Sequence, residues 1–470
     1  MPVGVHRTYV KYAEVGLFPQ ARRLFQVTRC NQCAHPPCAE ACPTSAMFQR
    51  ADGIVDFDKS ICIGCKACMA ACPYDAIFIN PEDGAAEKCN FCAQRIDVGL
   101  EPACVVVCPT EAILVGDLND HTSRVARIVG REAVQVRRPE KETLPKLFYK
   151  AGHQATLDPL AARRPGGGLF MWSQQGEGSD LVTSGHPGPH NSAAAALLAY
   201  DVPHRIPWDW EVSLYTWTKS LASGMYLIVA VLALLGHLEQ SSPLFTWAAP
   251  LLSLVFLAVT GGLLVGDLEH PERFYLIFTR PQWRSWLVRG AVILTGYGLA
   301  LALHLALPAL RAPLLVPGIV LAALTAVYTA YLFAQAKARD LWQSPLLPPH
   351  LLVQAVLAGA AALLLVARRF EPDLLPLFTT MTAVTAAAHL LLVAGEVTLT
   401  HATAHSRLAV REMTHGRYRR FFQAGLLLCA VAVAGPFLSL APAPLALLAL
   451  AGLLCHEHAY VQAGQAVPLA

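Results

Sequence analysis

A chain of 470 residues is too long for one ordinary domain, and a net charge of +3 gives no reason to expect a nucleic-acid partner. Apolar residues make up 54% of it and the mean hydropathy is +0.42, above that of a typical soluble protein. The excess is uneven: residues 1–205 hold most of the cysteine, proline and charge, whereas 212–465 are largely Leu, Ala, Val and Gly. The opening MPVGVHRTYV has neither the apolar core of a secretory signal nor an arginine pair, so no export signal is expected.

Twelve of the 14 cysteines fall between Cys30 and Cys108, in three groups. The first is Cys30-x2-Cys33-x4-Cys38-x3-Cys42-Pro43. The second is Cys62-x2-Cys65-x2-Cys68-x3-Cys72-Pro73, and the third is Cys89-x2-Cys92-x11-Cys104-x3-Cys108-Pro109. In a small secreted protein this density would mean disulfides. Here the spacings are regular and each group closes on Cys-Pro, which a disulfide framework does not require. Metal-bound thiolates in a reducing compartment are expected instead. Structural zinc competes, but a zinc ribbon has no use for a third cysteine two residues on or for the closing Cys-Pro. Iron–sulfur cubanes use both: a tight loop of three cysteines wraps one cluster, and the fourth ligand comes from the Cys-Pro of a partner motif. Gly64 and the small alanines let backbone N–H groups approach the sulfurs.

Through RCNQCAHPPCAEACPTSAMFQRADGIVDFD, CIGCKACMAACPYDAI and EKCNFCAQRIDVGLEPACVVVCPTEAI, residues 2–150 resemble the four-cluster iron–sulfur subunit of molybdopterin oxidoreductases such as the dimethyl sulfoxide, polysulfide and formate enzymes. The resemblance implies an α+β ferredoxin-like 4Fe-4S head over 1–150. In that family four cysteine groups pair first with fourth and second with third, and the three groups here match the second, third and fourth. The implied ligand sets are Cys30, Cys33, Cys38 and Cys72 for one cubane and Cys42, Cys62, Cys65 and Cys68 for the other. Cys89, Cys92, Cys104 and Cys108 are left without crossed partners. Either they hold one cluster among themselves, or the chain as given starts too late; MPVGVHRTYVKY corresponds to a segment that normally follows the family's first group, so the second explanation is preferred. Two clusters are expected, and up to four with a preceding cysteine group.

Further along, a basic stretch predicts a short helix over 121–131, which either packs on partner subunits or is simply solvated. Residues 151–205, rich in Gly, Ser and Pro, read as a flexible tether and a domain boundary, consistent with a fusion of two normally separate subunits. Eight apolar stretches then approach the 20 or so residues that a membrane crossing needs: 213–238, 244–267, 286–308, 312–336, 348–367, 374–398, 420–440 and 442–462. An even number places both ends of this all-α domain (206–470) on one side. The loops of that side carry Arg273, Arg280, Arg284, Lys337, Arg339, Arg407, Arg411, Arg417, Arg419 and Arg420, against Arg311, Arg368 and Arg369 opposite. The positive-inside rule makes the richer side, and with it the iron–sulfur head, cytoplasmic in a bacterial inner membrane.

Polar residues at membrane depth are costly, which singles out a few. Glu211, Tyr215 and Lys219 recur at four-residue intervals on one helix face near the head side, where Asp267, His270 and Arg273 close the second span. Tyr328, Tyr331 and Asp340 are placed late in span four, and Glu396 late in span six. An interfacial aromatic belt accounts for Trp208, Trp210, Trp217 and Tyr215, and snorkelling for Lys219, but neither accounts for Glu211 and Asp267. His304 and His389 read as satisfied core histidines or proton-path members rather than haem ligands, so no haem is expected. Cys429 and Cys455 read as small buried apolar residues.

Through YDVPHRIPWDWEVSLYTWTKSLASGMYL and GDLEHPERFYLIFTRPQWRSWLVRG, residues 201–465 resemble the NrfD-type membrane anchor of polysulfide reductase. That resemblance implies eight haem-free spans in two four-helix bundles and a quinone site beside the iron–sulfur subunit, its region matched by Glu211, Tyr215, Lys219, Asp267, His270 and Arg273. Together the two halves imply an electron-transfer and anchor subunit that connects a separate molybdopterin-containing catalytic subunit with the membrane quinone pool. The alternative is a redox-driven proton-translocating subunit of a larger respiratory complex.

Overall fold

The computed structural model describes residues 2–162 and 196–469, apart from residues 17, 18, 20, 203 and 439. The head opens on a hairpin of β1 (Thr8–Val15) and β2 (Arg22–Arg29), paired antiparallel from Thr8↔Arg29 to Val15↔Arg22. Two like units follow. In the first, α1 (Pro37–Ala41) leads to a hairpin of β3 (Met47–Gln49) and β4 (Val55–Phe57). In the second, α2 (Ala67–Ala71) leads to a hairpin of β5 (Ile77–Ile79) and β6 (Ala86–Lys88). Both helices stop for one local reason. Pro43 and Pro73 disfavour helical geometry in the residue before them, so Cys42 (φ −69°, ψ 120°) and Cys72 (φ −77°, ψ 112°) turn into extended backbone and cap the helices.

The third cysteine group builds two short helices, α3 (Ala93–Ile96) and α4 (Ala103–Val106). The predicted basic helix is α5 (Arg124–Arg131), started by Ser123, whose hydroxyl accepts from the Ala126 N–H. A small ribbon of β7 (Val134–Gln135) and β8 (Tyr149–Lys150) precedes α6 (Gln154–Leu157) and, after the undescribed segment, β9 (Leu197–Tyr200). The expected tether therefore holds its shape at both flanks. The strand β9 pairs antiparallel with β1, and Ala196 and Leu198 share a small apolar core with Ala13, Ala155 and Ala162. Averaging over the Gly- and Pro-rich residues before it hides the apolar run 193–200 in the sequence. The rest of that expectation, residues 163–195, lies outside the described residues.

The helical domain comprises α7 (Trp210–Leu234), α8 (Ala249–Gly266, entered through a π-helical turn over Leu244–Ala248), the short α9 (Leu276–Thr279), α10 (Trp286–Ala306), α11 (Leu315–Gln335), α12 (Leu347–Phe370), α13 (Leu375–Thr398), the largely buried helix α14 (Ala404–Thr414), α15 (Arg419–Ala434) and α16 (Pro442–Ala466). Seven of these, all but α9, α14 and α15, are long and apolar enough to cross a membrane among the described residues. At 1.5 Å per residue, the 16 residues of α15 reach only about 24 Å, short of a hydrocarbon layer of about 30 Å. The helix α7 is the hub and packs on α8, α11, α12 and α16. It touches α12 backbone to backbone: a Cβ at Gly224 would lie 1.8 Å from the Ala355 carbonyl oxygen, and one at Gly359 would lie 2.3 Å from the Gly224 carbonyl carbon. Small residues at a crossing permit this approach in helix bundles of membranes. Outward, α10, α13 and α15 present Leu299, Val384, Leu391 and Leu427, all exposed apolar side chains suited to lipid.

Candidate functional site

Two cavities of similar size lie within the head, each lined by four cysteines. One, of about 320 Å³, gathers Cys30, Cys33, Cys38 and Cys72. The other, of about 370 Å³, gathers Cys42, Cys62, Cys65 and Cys68. Each of α1 and α2 carries one cysteine inside the helix and one at its C-cap, where the backbone leaves helical geometry; Cys38 and Cys42 line different cavities, as do Cys68 and Cys72. None of the eight is in a disulfide. Burial pushes the thiol of Cys33 up to about 12 and that of Cys72 up to about 11, so thiolates here need a cation beside them. Backbone N–H groups already point at sulfur: Met47 donates to Cys42 Sγ (3.3 Å) and Ala86 to Cys62 Sγ (3.4 Å). Four sulfurs around one cavity, three of them buried, with such donors form a ligand set that fits a cubane.

The third group is arranged differently. Cys89, Cys92, Cys104 and Cys108 are half-buried and belong to neither cavity. Cys104 Sγ accepts a hydrogen bond from Arg29 Nη1 (3.0 Å).

The second cavity sits on the helical domain. Gly64, at φ +68°, lets its loop press against the turn after α8, where a Cβ would come within 2.4 Å of Glu269 Cβ. Lys66 reaches the Asp267 carboxylate (3.3 Å) and Glu269 (3.2 Å). Arg273 Nη1 donates to the carbonyls of Lys59 and Cys62, both at 3.1 Å. The backbone N–H of His270 donates to Ile63 O (3.2 Å), and its Nε2 lies 2.7 Å from Asp83 O. The Ser285 hydroxyl donates to Ala41 O (2.9 Å). Trp208, assigned to an aromatic belt from its sequence context, is buried instead and donates its indole N–H to Cys65 O (3.2 Å). It stacks on Trp342, which stacks on Phe333. Trp210 is 52% exposed.

The residues singled out in the helical domain thus divide into two sets. His270 and Arg273 grip the head's cysteine loop. Glu211, Tyr215 and Lys219 line the helical side behind it: Glu211 Oε2 is buried without a partner, Tyr215 is buried, and Lys219 lies deeper, donating to Ala326 O (2.8 Å) and Thr329 Oγ1 (2.9 Å). Asp267 stands between the sets. Asp340 is not within span four; it falls in a 3-10 turn past the end of α11, where Lys141 and the Thr403 hydroxyl (2.5 Å) bind it. His304 is a satisfied core histidine, its Nε2 2.9 Å from Phe245 O.

Sequence reasoning missed three features. His204, just before α7, is clasped by Asp75 and lies 3.0 Å from Asp201, which ties the segment before the first span to the loop after Cys72. His350 and His456 meet His389 inside the bundle. Spacing gives no sign of either histidine, since their neighbours come from other helices.

Residues 21–118 match the 4Fe-4S dicluster domain family, and residues 201–468 match the family of polysulphide reductase, NrfD. The head is 43% identical over 170 residues to the B subunit of tetrathionate reductase from Salmonella typhimurium, covering 34% of this chain and 66% of that one. It is 37% identical over 170 residues to the iron-sulfur B subunit of a putative dimethyl sulfoxide reductase from Halobacterium salinarum, covering 33% and 65%. It is 38% identical over 151 residues to the B polypeptide of polysulfide reductase from Wolinella succinogenes, covering 32% and 79%. The chain spans just under two thirds of the length of the first two of these relatives. With more than half of its length inside the membrane-domain match, a ferredoxin-type head before it and seven apolar helices within it, this protein belongs to the NrfD polysulphide reductase family, as a fusion with an iron–sulfur electron-transfer subunit.

Proposed function

We propose that this protein carries electrons between a molybdopterin-containing catalytic subunit, docked on the head, and quinone in a bacterial inner membrane. The observation that carries the reading is the seating of the Cys42/Cys62/Cys65/Cys68 cavity on the turn after α8, with Asp267 tied to Lys66 next to Cys65. Two cubanes would be held by the two crossed cysteine sets and would supply one-electron storage. The protein's part is placement. Lys66, His270 and Arg273 fix the cluster loop on the membrane domain. Glu211 and Asp267 offer carboxylates for the two protons that quinone chemistry exchanges, while Tyr215 and Lys219 line the same face. In this reading α15 crosses as an eighth span, extended by the turn over 435–438, and the arginine-rich side with the head faces the cytoplasm. Residues 1–150 with their flanks form the electron-transfer unit and 206–470 the anchor.

Asp267→Asn should leave the iron content and dithionite-reduced spectrum unchanged while slowing quinol-driven cluster reduction about 100-fold, the scale of a lost proton-transfer group. Unaltered quinol kinetics would refute the assignment. Cys72→Ser, purified without oxygen, should lose the iron of the cubane begun at Cys30 and keep that of the other.

A second reading, proton translocation, is favoured by one observation: Lys219 of α7 and Glu457 of α16 are both buried inside the bundle, and Glu457 Oε1 has no hydrogen-bond partner. Liposomes containing the whole complex should then acidify beyond the quinone's own protons.

A further inference from the structure

We infer that His350, His389 and His456 form a binding site for one divalent transition-metal ion inside the helical bundle, with zinc the best chemical fit. The three residues come from α12, α13 and α16 and are 1–2% exposed. One ring nitrogen from each can be chosen so that all three lie within 4.8 Å of one another. The ring centroids are 4.9, 5.4 and 4.7 Å apart, and His350 Nε2 lies 2.8 Å from His389 Nδ1. A single shared proton explains two imidazoles in contact. It does not explain a third ring brought to the same spot by a third helix, whereas a tripod of neutral nitrogen donors is the usual three-ligand zinc arrangement.

Two further observations point to a cation. Glu396 Oε1 lies 3.0 Å from His350 Nδ1, the carboxylate–histidine arrangement that fixes the tautomer and leaves Nε2 free as a donor to metal. The second oxygen of Glu396, whose side chain is 2% exposed, is buried without a partner, and so is Gln354 Oε1; the Gln354 amide is 3.4 Å from His350 Nε2. Imidazole ligands select borderline ions such as zinc, copper or nickel over magnesium and calcium. An ion here would lash α13 and α16 to α12, at the end of the bundle nearest the head.

The test uses the whole chain in detergent, freed of loose metal by a weak chelator, with zinc and iron counted together and zinc X-ray absorption recorded. The expected result is one zinc per chain with a nitrogen and oxygen shell at about 2.0–2.1 Å. In His389→Gln and His456→Gln the zinc should be lost while iron is unchanged, the iron serving as the check that each variant has folded. Cobalt offered in place of zinc should give the strong visible bands of tetrahedral coordination in the wild type and in neither variant. Zinc with a sulfur shell at about 2.3 Å would place the metal in the cysteine sites and overturn the inference. So would an absence of zinc, copper and nickel from wild-type protein that also shows no cobalt bands.

Discussion

His204 lies between two carboxylates in the segment just before the membrane domain. Burial opposes its charge, but Asp201 and Asp75 prevail and raise its pKa from about 6.5 to about 9. The folded state therefore holds the proton more tightly than the unfolded one. Its stabilisation is whole below about pH 6.5 and drains away as pH climbs through about 9. At about 1.4 kcal/mol per pKa unit, the contribution is at most about 3.5 kcal/mol. The unfolding temperature of the purified protein should fall between those pH values, and His204→Gln should be lower at pH 6 and nearly flat across the range. Gly64 offers a second test at this scale. An alanine there must adopt φ +68° and strike Glu269, so Gly64→Ala should keep its iron yet lose quinol-driven reduction because the loop no longer seats on the turn after α8. Equal rates in variant and wild type would show that the contact is dispensable.

At the scale of elements, the meeting of α7 and α12 depends on two glycines with no room for a methyl group. The obstacle is backbone rather than a movable side chain, so Gly224→Val should destabilise the bundle by about 3 kcal/mol or more, measured as a lower unfolding temperature and reduced yield of folded protein. Most of the helices were legible because a run of about 20 apolar residues has few other uses. The boundary of α15 was not, since Gly435 and Pro436 stop the helix while the apolar composition continues. The crossed cysteine sets were legible through a family resemblance, and the structure supplies the mechanical reason in the Cys-Pro caps of α1 and α2. The third cysteine group stayed ambiguous because its members share neither cavity. Trp208 and Arg273 bond to backbone carbonyls of the head that lie about 140 and 210 residues away, a distance that no local pattern encodes, which is why Trp208 read as part of an aromatic belt.

The whole molecule is held together by more than the cluster loop. Behind it, Asp340 past the end of α11 takes Lys141 from the head's tail and lies 4.0 Å from Arg138, whose Nη1 donates to Pro73 O (3.2 Å). Arg137 reaches Leu469 O (3.3 Å), and Arg339 reaches Gln465 O (2.9 Å). The side chains of Arg138 and Lys141 are 2% and 10% exposed, and removing the anion they face is costly. Asp340→Ala should cost about 3–5 kcal/mol and split the single unfolding transition into separate head and membrane transitions, which calorimetry would resolve. One cooperative transition at the wild-type temperature would mean that the two parts are joined elsewhere.

The indole of Trp208, bonded to the Cys65 carbonyl and stacked on Trp342, gives the protein an optical gauge of its own. Light absorbed by those rings lies within easy transfer distance of any iron–sulfur chromophore in the neighbouring cavity. Emission should stay dim while that cofactor is present and brighten when it is stripped, and Trp208→Phe should lose much of that change. A fluorimeter could then follow cluster assembly in membranes without labels.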